Sequence, residues 1–252
     1  MENKIIGSNA VNAKTNFLQI GDRKIAYRSI GKGLPSGTGL STGVCAADIL
    51  SMAKDVKDVA ETLKLPKIIV AGWSLGGLVA QTVTTNYPDL VSHSILIGSG
   101  PPGKNTGVPE KAFWERALKE VNDLDDGYVL FFEPKSEKSK NAGLLSFGRM
   151  AKRTEDLDTF VSKECYGKQR KAIEDFREDK HGNLENLKKS EIPILVFMGD
   201  HDICFHVEDW YPLIGKLPSI QLIVMPLAGH AVQHQYPELA AKYITEFIEN
   251  FD

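Results

Sequence analysis

The run Lys67-Ile68-Ile69-Val70-Ala71, followed by Gly72-Trp73-Ser74-Leu75-Gly76-Gly77 and then by small and apolar residues as far as Asn86, constrains this chain more than any other segment. A continuous β-branched run reads as a strand buried on both faces of a parallel sheet. The glycines impose a sharp turn. Leu75 to Asn86 then reads as a helix laid back on the sheet and stopped before Pro88. Strand, tight turn and helix in that order point to α/β layering with right-handed crossovers.

The rest of the chain follows the same alternation. Phe17 to Ile20 and Lys24 to Ile30 predict a hairpin around Gly21-Asp22. A Gly-rich connector from Gly31 to Gly43 shows no strand pattern. Asp48 to Leu63 places Ile49, Met52, Ala53, Val56, Val59, Ala60 and Leu63 at helical spacing, and Pro66 ends that helix. Val91 to Ile97, Ile194 to Met198 and Ile220 to Val224 predict three further strands, and Pro237 to Phe251 a closing amphipathic helix with proline at its start. Between Lys104 and Glu191 there is no buried strand pattern; helical stretches such as Glu110 to Val121 and Asp156 to Tyr166 carry much charge. That segment reads as a solvated helical insertion. The expected division is a core of residues 1–103 and 186–252 with an insertion at 104–185.

Composition excludes several classes. The 252 residues carry 30 basic and 33 acidic side chains, a net charge of −3, so there is no basic footprint for nucleic acid. The longest apolar run, Ile192 to Met198, is too short to span a bilayer, and Met1 to Gly7 lacks the apolar stretch of a signal peptide. Cys45, Cys165 and Cys204 are an odd, widely spaced set without a Cys-x-x-Cys pair, from which neither a disulfide framework nor a structural zinc is expected. A cytoplasmic enzyme is the expectation that remains.

Three short segments concentrate the chemistry. In Gly72-x-Ser74-x-Gly76 a serine stands on a strand-to-helix turn that needs small neighbours, which Gly72 and Gly76 provide. Such a turn exposes the hydroxyl over a helix N-terminus whose partial positive charge favours an oxyanion. A serine hydroxyl needs a base to take its proton. His230, in the loop after the strand Ile220 to Val224, is the best candidate, with His234 as competitor; His93, His181, His201 and His206 sit in less suitable places. A zinc pair of His230 and His234 lacks the H-E-x-x-H glutamate. The orienting acid is expected in Phe197-Met198-Gly199-Asp200-His201-Asp202, where Asp202 lies further into the loop than Asp200 and is preferred. Either carboxylate could instead cap a turn.

The order Ser74, Asp202, His230, with Asn86-Tyr87-Pro88 after the nucleophile helix, Gly199-x-x-Asp202, and Gly229-His230 before a C-terminal helix, resembles the α/β-hydrolase superfamily from Gly43 to Phe251. The resemblance implies a mostly parallel, doubly wound α/β sheet with 104–185 as a helical cap. It also implies Ser74 as nucleophile, Asp202 as orienting acid, His230 as base and the Leu75 backbone N–H as an oxyanion donor, with no metal or organic cofactor. Branches of the family that open epoxides or remove halides carry aspartate where Ser74 stands.

One departure from the family pattern stands out. The family places a strand ending in a His-Gly type turn, a helix and another strand between the hairpin and the nucleophile strand. Here that unit is missing around Pro35-Ser36. The sheet is then expected to be incomplete, with Lys67 to Ala71 exposed at an edge and the second oxyanion donor lost. The glycines at 37, 39 and 43 come close to a G-x-G-x-x-G pattern but are one residue off it. The expected activity is hydrolysis of a small ester, thioester or related acyl substrate through an acyl-enzyme. The rivals are a non-catalytic small-molecule binding protein on the same scaffold and an inactive shortened chain. Phe113, Trp114, Phe131, Phe132 and Phe147 are candidate pocket residues, although aromatics at such spacing more often form core.

Overall fold

The computed structural model describes residues 13–28, 40–104, 106–157 and 161–251. The junction at Pro35-Ser36, and with it the expected missing unit, lies outside the described residues. β1 (Thr15–Ile20) and β2 (Arg23–Arg28) pair antiparallel through a two-residue turn in which Gly21 has φ +59°. That left-handed conformation suits glycine. Helix α1 (Ile49–Thr62) starts at Asp48, whose carboxylate accepts from the Ser51 amide at 2.7 Å.

Four parallel strands follow in the spatial order β3 (Ile68–Trp73), β4 (Val91–Ile97), β5 (Ile194–Gly199) and β6 (Ile220–Met225). Helix α2 (Leu75–Asn86) connects β3 to β4. The side-chain period of two splits the core into two layers. Leu96, Val196 and Met198 join Ile49, Ala53, Leu78 and Val83 under α1 and α2. Ile95, Leu195 and Phe197 instead meet Val232, Ala240 and Phe247 of α8 (Val232–Gln235) and α9 (Pro237–Asn250). Helices cover both faces, which makes the sheet doubly wound. Leu195, Val196 and Phe197 are wholly buried, so truncating Leu195 to alanine would cost about 2–5 kcal/mol.

β3 departs from the reading that it is buried on both faces. Ile68 and Val70 are buried, but Ile69 is 43% exposed. The face that β4 to β6 bury beneath α8 and α9 is open here. Among the described residues β3 pairs only with β4.

Between β4 and β5 lie α3 (Lys111–Ala117), α4 (Leu124–Phe131), α5 (Glu137–Met150), α6 (Lys163–Arg177) and α7 (Asn183–Lys189), with no strand among the described residues. The helix expected over 156–166 is displaced. Asp156 has φ +49° and is tied to the hairpin, its carboxylate accepting from the Thr15 amide and its carbonyl from Arg28. The helix begins only after Ser162, whose hydroxyl accepts from the Cys165 amide at 3.1 Å. It then continues to Arg177. The expected 110–121 helix is likewise shorter, ending at Ala117.

A disulfide joins Cys45 to Cys165, although no disulfide framework is expected of three widely spaced cysteines. The two cysteines are 120 residues apart, and only the packing of α6 against α1 and α2 brings them together. Among the described residues no helix is long and apolar enough to cross a membrane.

Candidate active site

Ser74 occupies the turn between β3 and α2 at φ +57°, ψ −125°. Such a backbone costs about 1–3 kcal/mol and persists only when its surroundings hold it. Here the Ser74 amide donates to the Ile97 carbonyl at 3.0 Å, and the Ser74 carbonyl accepts from the Gly77 amide at 2.9 Å. A Cβ on Gly72 would lie 1.9 Å from the Gly76 carbonyl oxygen, so position 72 admits glycine only. At Gly76 a Cβ would meet open space, against the expectation that this glycine relieves crowding. The crowded neighbour is Gly77, where a Cβ would lie 2.4 Å from that of Ser99.

His230 follows β6 in a loop anchored on several sides. The Trp73 indole N–H donates to the His230 carbonyl at 2.9 Å, and the Ala231 amide donates to the Phe131 carbonyl at 2.7 Å. The imidazole is buried. Its Nδ1 lies 2.9 Å from Oδ2 of Asp202 and its Nε2 lies 2.8 Å from Oγ of Ser74. Asp202 Oδ1 accepts from the amides of Cys204 and Phe205, so the carboxylate is satisfied as an acceptor and fixed in direction. This network assigns the Nδ1 proton to the Asp202 side and leaves Nε2 free to accept from the serine.

The alternative residues have other partners. Asp200 accepts from the Ala228 amide and pairs with His201, pinning the turn before the acid loop. His234 hydrogen-bonds Ser146 at 2.9 Å, and burial pulls its pKa below the usual imidazole value. The Leu75 N–H opens α2, where the first amides of a helix have no partner within it.

A cavity of about 1070 Å³ opens over Ser74 and Leu75. Phe113, Trp114 and Phe205 line it. Of the other aromatic candidates, Phe131 packs against Trp73, and Phe132 and Phe147 pack on each other.

The model for the alpha/beta hydrolase fold matches residues 35–237. The chain belongs to the alpha/beta hydrolase fold family. Its similarity to a pimeloyl-[acyl-carrier protein] methyl ester esterase of Wigglesworthia glossinidia brevipalpis is 27% identity over 191 residues, covering 74% of this chain and 71% of the relative. With monoacylglycerol lipase abhd6-B of Xenopus laevis it is 25% identical over 219 residues, 83% of this chain and 64% of the other. In structure it resembles an alpha/beta hydrolase fold protein from Chitinophaga pinensis, with a TM-score of 0.82, 25% identity, and 95% and 98% of the two chains covered.

Three features of this hydrolase site escape a reading of the sequence. Trp73 occupies a variable position of the Gly-x-Ser-x-Gly turn, yet it holds the His230 loop. Phe205 stacks on the His230 ring at 5.9 Å and 28°. Arg177, at the end of α6, reaches the cavity and lies over Phe205 at 5.1 Å. Trp73 had a signal in its place within the motif. Phe205 and Arg177 had none, because both contacts join segments distant from the motif.

Proposed function

We propose that this protein is a serine hydrolase that cleaves a small ester, thioester or related acyl substrate through an acyl-enzyme. One observation carries the reading: Ser74 Oγ, His230 and Asp202 form a hydrogen-bonded series, 2.8 Å and 2.9 Å long, that ends at Ser74 in the lining of a large cavity. The relatives named as an esterase and a lipase support an ester.

In this mechanism Ser74 Oγ attacks the acyl carbonyl carbon while its proton passes to Nε2 of His230. Asp202 holds the Nδ1–H and stabilises the imidazolium. The Leu75 N–H donates to the oxyanion. Collapse of the tetrahedral species expels the alcohol or thiol, which takes the proton from Nε2. Water then attacks the acyl-enzyme with His230 as base, releasing the carboxylic acid and restoring Ser74. In the family pattern a second oxyanion donor comes from the turn expected near Pro35-Ser36. Residues 104–185 act as the cap that selects the acyl group. As to location, the Cys45–Cys165 bond weighs against the cytoplasm and towards an oxidising compartment, since cytosolic thiols are kept reduced.

The test is intact-mass detection of labelling by a fluorophosphonate, with Ser74→Ala as control. The expected result is one adduct, absent from Ser74→Ala. A folded wild-type chain that takes no label would overturn the reading and favour a binding protein on a hydrolase scaffold.

A further inference from the structure

The cavity is lined by charged side chains as well as by the apolar Phe113 and Phe205, and most of those charges are already matched. Arg170 pairs with Glu174 at 3.0 Å, and Lys180 pairs with Asp175 and Glu178. Asp179 accepts from the Leu184 amide at the start of α7. Asp209, nearby, accepts from the Gly107 amide with both oxygens.

Arg177 is different. It is half-buried and lines the cavity, and among the described residues no carboxylate pairs with it. Its contacts are a donated hydrogen bond to the Cys204 carbonyl at 3.2 Å and the face of Phe205. Glu174 and Asp209 act on it only through space, and burial pulls its pKa below the usual guanidinium value. A guanidinium remains charged at neutral pH regardless. Holding an unpaired cation half out of water is costly unless something anionic completes it.

We infer that Arg177 is the subsite for a carboxylate at the far end of the acyl substrate, so that the protein selects esters of dicarboxylic acids over their neutral counterparts. A single planar guanidinium, whose one hydrogen bond among the described residues goes to the Cys204 carbonyl, matches the two oxygens of a carboxylate. Its place sets the spacing. Phe205 stacks on His230, and Arg177 lies over Phe205, so one aromatic ring separates the anion site from the imidazole. A chain of several methylenes along Phe205 would place an ester carbonyl at Ser74 and a carboxylate at Arg177.

The inference rests on the hydrolase reading, and its test is separable from it. Monomethyl esters of dicarboxylic acids from malonate to suberate, each beside its terminal amide, are titrated calorimetrically into Ser74→Ala protein, which leaves them uncleaved. For at least one chain length the carboxylate binds about tenfold or more tightly than the amide, and Arg177→Gln in the same background removes that preference. Arg177→Lys retains part of it. Equal binding of acid and amide at every length, no binding at all, or a preference that survives Arg177→Gln would each overturn the proposal. Circular dichroism and the thermal unfolding midpoint check that Arg177→Gln and Arg177→Lys fold; a preference lost only together with the fold would make Arg177 structural and also overturn it. If wild-type protein takes no label while the carboxylate preference stands, the hydrolase reading fails and the anion subsite holds.

Discussion

The indole N–H of Trp73 donates to the backbone carbonyl of His230 at 2.9 Å, across 157 residues of sequence. The two rings also lie 5.4 Å apart. The residue before Ser74 therefore helps set the position of the His230 ring. Trp73→Phe keeps an aromatic ring and loses the donor. A hydrogen bond of this kind is worth about 1 kcal/mol net. Turnover of p-nitrophenyl acetate at saturation should fall about fivefold with little change in KM. An unchanged turnover with a lowered melting temperature would make the contact purely structural.

Asp202 and Asp200 should separate cleanly. Asp202→Asn permits the wrong imidazole tautomer and should lower kcat about ten-thousandfold while the protein still folds. Asp200→Asn should stay near wild type, because its contacts are with His201 and the Ala228 amide. Ester hydrolysis by the two variants, with circular dichroism as a check on folding, decides this.

Gly76→Ala and Gly77→Ala differ in the space that each meets. The first places a methyl in open space and should leave the urea midpoint unchanged or slightly raised, by up to about 1 kcal/mol. The second drives a methyl against Ser99 and should cost about 1–3 kcal/mol. Because α2 begins beside Ser74, Gly77→Ala should also slow fluorophosphonate labelling.

The Cys45–Cys165 bond ties the segment before α1 to the first turn of α6. Closing so long a loop restricts the unfolded chain, and Cys45→Ser should lose about 2–4 kcal/mol in urea denaturation. Dithiothreitol should reproduce the loss in wild type and in Cys204→Ser alike, since Cys204 is buried and free. Helix α6 carries Arg170 and Arg177, so KM should rise with reduction.

Acid sensitivity should be traceable to Asp126. Lys119, 2.6 Å and 2.8 Å from its two oxygens, holds the Asp126 carboxyl below the usual range, and the Asp123 amide adds to the effect. Because the folded-state pKa lies below the unfolded one, near 3.9, the contribution is fully present above that pH. It is lost as pH falls through the folded-state value. Urea midpoints of wild type and Asp126→Asn should thus differ at pH 7 and draw together only as pH falls below the unfolded-state value.

Much of this molecule is local in origin. The β-branched run at 68–70, the glycine turn at Ser74 and the small-residue helix to Asn86 appear in the structure almost residue for residue, because period and turn chemistry act between near neighbours. The same holds for the positions of the strands Val91–Ile97 and Ile194–Gly199, and for the chain order of Ser74, Asp202 and His230. Tertiary packing decided the rest. Which aspartate faces His230 depends on the two amides that grip Asp202, and the start of α6 depends on Asp156 being held by the hairpin. The joining of Cys45 to Cys165, the exposure of Ile69 and the placement of Arg177 in the cavity wall likewise arise between segments far apart in sequence. A pattern in the chain records what a residue prefers beside its neighbours; only closure of the fold determines which distant groups share low-dielectric space, and there the energies of pairing and burial are largest.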